Sequence, residues 1–425
     1  MEDLIPAYLA VKQIISERKP YAYTIFKVLQ TEKVAPSSAK RIRVVVYGVL
    51  NNYNKLCFES LNIFDEYKKD SDESFLNIVT IYEIRTFPED EEEILTSYIN
   101  SFEALRLLGD AKTNSNKIKE ALKTPFKIPD EVKELPFSYN ALTLEMPEFL
   151  LKIMFKELGG DKAIELSLAL HKKPFNFYQA NLYKTNSDFL INDKRFESTK
   201  LVDGTILYKY LSTDHTPKEV KEALLYRLDY SLAFPYSIIE LPQVSPKILM
   251  AASNHPDTGA FFAMKTKDLF ESEIISCFAN PLVYRLAVDE KNKNNLTSLT
   301  PVLTPVNLIK TYYDYDSFDL VCYEGDDSGI GLSRRHPGAL PSLTLKRMQS
   351  SFKKQVNDLL EASEFVKNNG YLLLTNNAIT DLEGADVTAE FLKMKKNFSL
   401  VKEAYIYPME MNSDSGYYAI LRRKE

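Results

Sequence analysis

From about residue 240 onward, short apolar runs alternate with longer amphipathic stretches, and this limits the architectures open to the chain. The runs at 248–252, 282–288, 320–323 and 371–375 read as buried strands. The stretches between them read as helices, most plainly 345–365. Strands alternating with helices form a parallel sheet with helices packed on its faces. The end of the chain departs from this rhythm. Runs at 404–408 and 416–421 flank a polar turn at 412–415, the pattern of an antiparallel hairpin. The expected C-terminal fold is therefore an α/β sheet, parallel in its body and finished by a late antiparallel pair.

Upstream the pattern is helical. In residues 1–123, Leu4, Tyr8, Val11 and Ile15 keep helical spacing. A second helix opens after Ser37 and Ser38, with Ile42, Val45, Val49, Tyr53 and Leu56 on one face. Lys40, Arg41 and Arg43 crowd its first turns. Cations there oppose the helix dipole, which makes Arg41 and Arg43 candidate contacts for an anionic partner. The plainer reading is a solvated basic turn. Acids at 89–93 sit at the start of a later helix, where the dipole favours them. Pro125, Pro129 and Pro136 mark 124–140 as a linker. The run EMPEFLLKIMFKELGG then reads as a helix with Pro147 in its first turn and a stripe of Phe149, Leu150, Ile153, Met154 and Leu158. Gly159 and Gly160 end it. The domains expected are 1–123, all helix; 124–140, linker; 141–235, a small α+β subdomain; and 236–425, the α/β domain.

At 425 residues the chain is too long for one ordinary core. With 45% apolar and 26% charged residues, it is expected to be globular, without a long disordered region. No apolar run reaches membrane-spanning length, so no membrane partner is expected. The opening MEDLIPAYLA lacks the basic start of a secretory signal. Three cysteines lie far apart and four histidines are scattered. That argues against a disulfide framework and a metal site, and fits the cytoplasm. A net charge of −6 means that any nucleic-acid binding must come from local patches.

One stretch, FDLVCYEGDDSGIGLSRRHP at 318–337, carries a family resemblance. Glu324-Gly325-Asp326-Asp327-Ser328-Gly329, with Arg334-Arg335-His336-Pro337 behind it, resembles the fourth motif of the RsmB/NOP/Sun-type rRNA cytosine-5 methyltransferases. That motif reads D-A-P-C-S-G followed by R-R/K-x-P. QANLYKT at 179–185 is similar to the family's R-V-N-T-L-K-T and keeps Asn181, Lys184 and Thr185. The residues from Gln355 to Leu360 match Q-x-x-x-L-L, and the helix after Pro147 stands where the family has P-E-W-L. Residues 1–123 resemble the NusB-like RNA-binding domain that precedes the catalytic part in RsmB-type enzymes. RVVVYGVLNN lies at that domain's second long helix. The resemblance implies a class I (Rossmann-like) methyltransferase domain, S-adenosylmethionine as cofactor, 16S ribosomal RNA as partner and a monomeric protein. It assigns RNA contacts to Arg334, Arg335, Lys346, Arg347, Asn181 and Lys184, beside Arg41 and Arg43; arginine pairs suit phosphate.

The catalytic positions depart from the family. Its cofactor turn, V-L-D-L-C-A-A-P-G-G-K-T, is here ILMAASNHPDTG. Met250 replaces the acid, and the glycine pair that lets backbone approach the cofactor is gone. Asp289 is read as the ribose-binding acid at the end of the second strand, and no acid stands near Thr304. The family reaction needs a thiolate to add to carbon 6 of cytosine. Asn377 occupies the nucleophile's place in TNNAI, Asp327 that of the second cysteine, and Glu324 that of the motif's leading aspartate. Cys322, inside a strand, reads as core. The leading expectation is an rRNA-binding member that is catalytically inactive by the family route, with adenosylmethionine binding weak or lost. The alternatives are a divergent but active methyltransferase and a NusB-like interaction module. Glu324, Asp326 and Asp327 could also hold magnesium, though no phosphate-binding loop accompanies them.

Overall fold

The computed structural model describes residues 4–64, 66–212 and 215–424. The chain forms two compact units, Met1–His171 with Arg335–Thr344, and Lys172–Arg334 with Leu345–Glu425.

In the first unit the helix Asp72–Thr86 lies at the centre of the core. Phe75, Leu76, Ile78, Val79 and Ile81 are all buried, so this helix has almost no solvent face. Ser71 caps it by accepting the Ser74 N–H at 3.1 Å. Around it pack Leu4–Ser16, Pro36–Asn51, Tyr53–Ile63 and Glu91–Ala104. The single helix expected to carry both Ile42 and Leu56 is two helices, Pro36–Asn51 and Tyr53–Ile63. The reason is local. The Asn51 and Asn52 side-chain amides donate back to the carbonyls of Tyr47 (2.9 Å) and Gly48 (2.8 Å), and such bonds compete with helix propagation. In Glu148–Leu158 the buried residues are Leu150, Leu151 and Met154, whereas Phe149, Ile153 and Leu158 are half-buried. Gly159, at φ +80°, ends that helix.

The second unit holds two sheets. A small antiparallel sheet has strands β1 (Asn176–Ala180), β2 (Phe196–Lys200), β3 (Ile206–Tyr210) and β4 (Leu225–Arg227) in the order β2-β3-β1-β4. The main sheet has β5 (Lys247–Ala252), β6 (Glu273–Phe278), β7 (Leu299–Leu303), β8 (Phe318–Glu324), β9 (Val366–Asn376), β10 (Phe398–Ile406) and β11 (Gly416–Arg423). Its order is β10-β11-β9-β8-β5-β6-β7. The five strands β5 to β9 pair in parallel, and β11 and β10 are antiparallel, as the sequence pattern implies. Both faces are buried along β5, β8 and β11, which is why those strands read as continuous apolar runs. Leu249, Val321, Leu372 and Leu421 are register partners in one row and face one core. Ile248, Leu320, Cys322 and Leu373 face the other.

The run at 282–288 is not a strand. It belongs to the helix Pro281–Asn294, and the second parallel strand is β6. Pro281 occupies the first turn, and the Asn280 side chain caps the helix by accepting the Leu282 N–H at 2.9 Å. Leu282 and Leu286 suggested a buried strand, yet both are exposed on this helix. Likewise, β1 stops at Ala180, and residues 181–185 form a turn. No described helix is long and apolar enough to cross a membrane.

Strand order reverses at β5, so the crevice of this sheet opens at the carboxyl ends of β5 and β8. Gly331 stitches that edge together. Its N–H donates to the Asn377 carbonyl at 2.9 Å, and its own carbonyl accepts the Ser415 N–H at 3.2 Å. A Cβ there would lie 2.2 Å from the Asn377 oxygen and 2.8 Å from the Ser415 oxygen. Both are backbone atoms and cannot rotate aside. Gly331→Ala is therefore expected to cost about 3 kcal/mol in urea unfolding. An unchanged midpoint would show that the edge relaxes freely.

Candidate functional site

The ends of β5, β6, β7 and β8 surround a cleft of about 730 Å³. Ser253 and Asn254 line it after β5, Asn280 after β6, Thr304 after β7, and Glu324 and Asp326 at β8. Lys354, from the helix Leu345–Ser363, reaches the cleft wall and pairs with Asp358 at 2.8 Å and Asp326 at 3.4 Å.

Glu324 is buried, and its carboxylate accepts the Asn254 backbone N–H at 2.7 Å and the Tyr236 hydroxyl at 3.1 Å. The Asn254 side chain donates to the Glu324 carbonyl at 3.1 Å. The turn after β5 is thus closed onto β8 by the protein itself. Its one glycine, Gly259, serves packing, since a Cβ there would come within 2.7 Å of Leu299. Asp289 does not line the cleft. It lies exposed in the helix Pro281–Asn294, because the expected strand is that helix. Asn280 stands after β6 instead, and its side-chain oxygen is occupied by the helix cap. The turn carries no glycine pair, its Asn254 N–H is committed to Glu324, and no carboxylate stands at the end of β6.

Asp327 and Asn377 meet. The Asp327 carboxylate accepts the Asn377 N–H at 2.5 Å and the Gly329 N–H at 2.6 Å. Beside them is Glu383, which sequence reasoning missed. It is fully buried, and its carboxylate accepts the Ser328 N–H at 2.8 Å and the Ser328 hydroxyl at 2.6 Å. Asn376 donates to Gln355 Oε1 and to the Glu383 carbonyl, both at 2.7 Å. The only sequence signals were the amide pair after β9 and a lone acid in DLEG. Burial lifts the Asp327 carboxyl to about 6 against the pull of its two N–H donors. It lifts Glu383 to about 7, with the Asp327 charge adding to the effect.

No thiol reaches this place. Cys322 and Cys277 are buried within β8 and β6, and Cys57 is buried in the helical unit. Burial raises all three thiols, Cys277 to about 12, Cys57 to about 11, and Cys322 far up with the Glu324 charge contributing. Glu324, Asp326 and Asp327 each engage different partners, and no three His, Cys, Asp or Glu side chains among the described residues are grouped to hold a metal.

The expected RNA contacts divide. Arg334 is buried, its guanidinium donating to the Lys172 carbonyl (2.7 Å), the Ser413 carbonyl (2.5 Å) and the Asn412 side chain. It therefore anchors the loop between β10 and β11 and is not open to phosphate. Arg335 is half-buried and belongs to the helical unit. Lys346 is exposed at the start of its helix; Arg347 is half-buried, and its charge favours the ionised forms of Asp327 and Glu383. Asn181 is buried and holds Ala223 (2.9 Å) and Asn294 (3.2 Å), while Lys184 donates to the Lys293 carbonyl at 2.8 Å near the end of the helix Pro281–Asn294. Arg41 pairs with Glu83 and Asp90, both at 2.5 Å, whereas Arg43 is exposed.

Strand order, the late antiparallel pair and a cleft at the switch point define the class I methyltransferase fold. Along nearly its whole length the chain is similar to the crystal structure of PH0851, with a TM-score of 0.77 and 14% identity over 99% of this chain and 98% of that one. A methyltransferase homologue from Pyrococcus horikoshii has a TM-score of 0.58 and 14% identity over 68% of this chain and 99% of its own. NSun6 from Pyrococcus horikoshii, solved with SFG, has a TM-score of 0.55 and 12% identity over 66% and 98%. By sequence the chain matches no protein-family model and no curated protein.

The carboxyls at the strand ends generate a pH prediction. Both Asp327 and Glu383 are raised, so the fold favours their protonated forms. Their contribution to stability is full below about pH 4 and is lost as pH rises through about 6 and 7. For Glu383 the loss is at most on the order of 3 kcal/mol. Glu383→Gln keeps an acceptor for the Ser328 N–H and removes the titration. Its melting temperature should match wild type near pH 5 and exceed it at pH 8. Parallel curves for the two proteins would refute this.

Proposed function

We propose that this chain is an rRNA-binding relative of the RsmB-type 16S rRNA cytosine-5 methyltransferases and does not methylate cytosine by their covalent route. One observation carries the reading. Where that route needs two thiols, a carboxylate and an amide stand together, Asp327 bound to the Asn377 N–H. An amide cannot add to carbon 6, and without that adduct carbon 5 stays unactivated. The three similar structures support the lineage through their fold, and two of them are described as a methyltransferase homologue and as NSun6. Adenosylmethionine, the methyl donor of such enzymes, is bound weakly or not at all, for the reasons of fit given above. In this reading residues 1–123 are the NusB-like domain, 141–235 the small RNA-binding subdomain, and the protein works as a cytoplasmic monomer on ribosomal RNA.

Two measurements test the proposal. Calorimetric titration with adenosylmethionine should show no binding at micromolar concentrations, and a Kd near 10 µM, about −7 kcal/mol, would overturn the cofactor claim. Incubation with unmodified ribosomal RNA and labelled cofactor should yield no 5-methylcytosine by mass spectrometry. Turnover above a boiled control, abolished by Asp327→Ala, would establish instead a divergent, active methyltransferase. RNA binding itself should fall steeply with salt, since phosphate contacts release counterions. Lys346→Ala, at an exposed position, should flatten that slope, while Arg334→Ala should chiefly lower stability, by about 2–3 kcal/mol, through its orphaned acceptors.

A further inference from the structure

Two acids from different parts of the chain hold the crest of the loop after β8. Consecutive backbone N–H groups go to different carboxylates, that of Ser328 to Glu383 at 2.8 Å and that of Gly329 to Asp327 at 2.6 Å. The Ser328 hydroxyl bonds the second Glu383 oxygen at 2.6 Å, and the second Asp327 oxygen accepts the Asn377 N–H at 2.5 Å. One dipeptide therefore carries both acids. Little else holds it. Among residues 325–330 only Ile330 buries an apolar side chain, and glycines stand at 325, 329 and 331, Gly329 at φ +80°. Glycine is where a backbone pivots most freely.

The surroundings supply few cations. On the loop itself, Asp326 is exposed and pairs with Lys354 at 3.4 Å. The helix Leu345–Ser363 brings Arg347, whose charge favours the ionised acids, and Lys354, which also holds Asp358 at 2.8 Å. Gln355, on the same helix, donates to the Glu383 carbonyl at 3.4 Å. β9 and its continuation bring the amides of Asn376 and Asn377. Next to Glu383, Asp381 accepts the Tyr405 hydroxyl at 2.8 Å. Neither Asp327 nor Glu383 is in an ion pair with a described residue.

We propose that this clamp is a proton-operated latch: the loop 325–330 stays closed while Glu383 keeps its proton, and swings out to widen the cleft at Asp326 when the proton leaves. The bonding suits one charge. An ionised Asp327 accepts two N–H groups, and a protonated Glu383 accepts the Ser328 N–H while its own O–H donates to the Ser328 hydroxyl. A second ionisation loses that donor and sets two carboxylates on one dipeptide, away from water. Burial raises Asp327 to about 6 and Glu383 to about 7, the Asp327 charge adding to the latter. The stability held in Glu383 is full below its unfolded value near pH 4 and is lost as pH rises through about 7. Swinging out returns both carboxylates to water and gives up the burial of Ile330. The latch does not depend on the RNA-binding reading.

Hydrogen exchange in the full chain, read by mass spectrometry and corrected for the intrinsic effect of pH, tests it. Between about pH 5 and pH 8.5, protection of the amides in 325–331 and 376–379 should fall at least tenfold, while amides of β5 keep theirs. Glu383→Gln should leave the loop protected near pH 8.5. Asp327→Asn, which removes the neighbouring charge, should shift the opening to lower pH if Asp327 held the loop alone and to higher pH if Glu383 is the trigger, as proposed. The wild-type and Asp327→Asn curves therefore decide the matter even if Glu383→Gln fails to fold. Loop protection that does not change with pH, a parallel loss in β5, a shift to lower pH in Asp327→Asn, or wild-type opening in Glu383→Gln would each overturn the latch.

Discussion

The Glu324 carboxylate, buried at the end of β8, holds the turn after β5 through the Asn254 N–H and is itself held by the Tyr236 hydroxyl. A buried carboxylate is tolerable only with such donors around it. A parallel sheet covered on both faces has its polar groups concentrated at the strand ends, so those ends are where hydrogen bonds must be found. In this chain the protein finds them internally. Glu324 takes the turn after β5, Asp327 takes the start of the segment after β9, and Glu383 takes Ser328 in the loop between them. Donors that could face a ligand are instead crosslinks between neighbouring loops.

That exchange explains why Asp327, Asn377 and Gly331 form a set. A carboxylate at 327 can accept the Asn377 and Gly329 N–H groups, two bonds that a thiol makes poorly. The residue at 377 contributes its backbone N–H to that bond, so the bond does not depend on the side chain there. Gly331 then lets the same segment approach Asn377 and Ser415 closely enough for backbone bonds on both sides. The edge is thereby tied together through backbone bonds on both sides. Its cost is two carboxyls held well above their ordinary range by burial.

The sequence revealed the architecture wherever apolar content followed burial. β5, β8, the second half of β9 and β11 were legible, because both faces are covered there; of the edge strand β10, exposed from Leu400 to Glu403, only the end was read. The run at 282–288 misled, because Leu282 and Leu286 are apolar yet exposed, and the Asn280 cap that decides for helix is a single side chain. Asp289 was assigned to the cleft on that error alone. Asp327 and Asn377 were singled out through the motif frames of the family the sequence resembles, but that they bond to each other was not read from the sequence. Glu383 was not singled out, because nothing local distinguishes a buried acid from an exposed one in a short polar loop. Arg334 was misjudged for the same reason: an arginine that binds phosphate and one that binds carbonyl groups look alike in sequence.

The distribution of charge follows the same logic of occupied and unoccupied groups. Arg41 and Arg43 stand two residues apart on one helix, yet one is bound to Glu83 and Asp90 and the other faces solvent. Arg334 and Lys346 flank one segment, and only Lys346 is exposed. A cation already paired with buried acceptors loses those bonds if it turns to a ligand, and each orphaned acceptor costs about 1–3 kcal/mol. An exposed cation incurs no such loss. Counting basic residues therefore overstates what an acidic chain can offer to RNA. What remains for an anionic ligand is the set of exposed cations that no described acid holds, Arg43 and Lys346 among them.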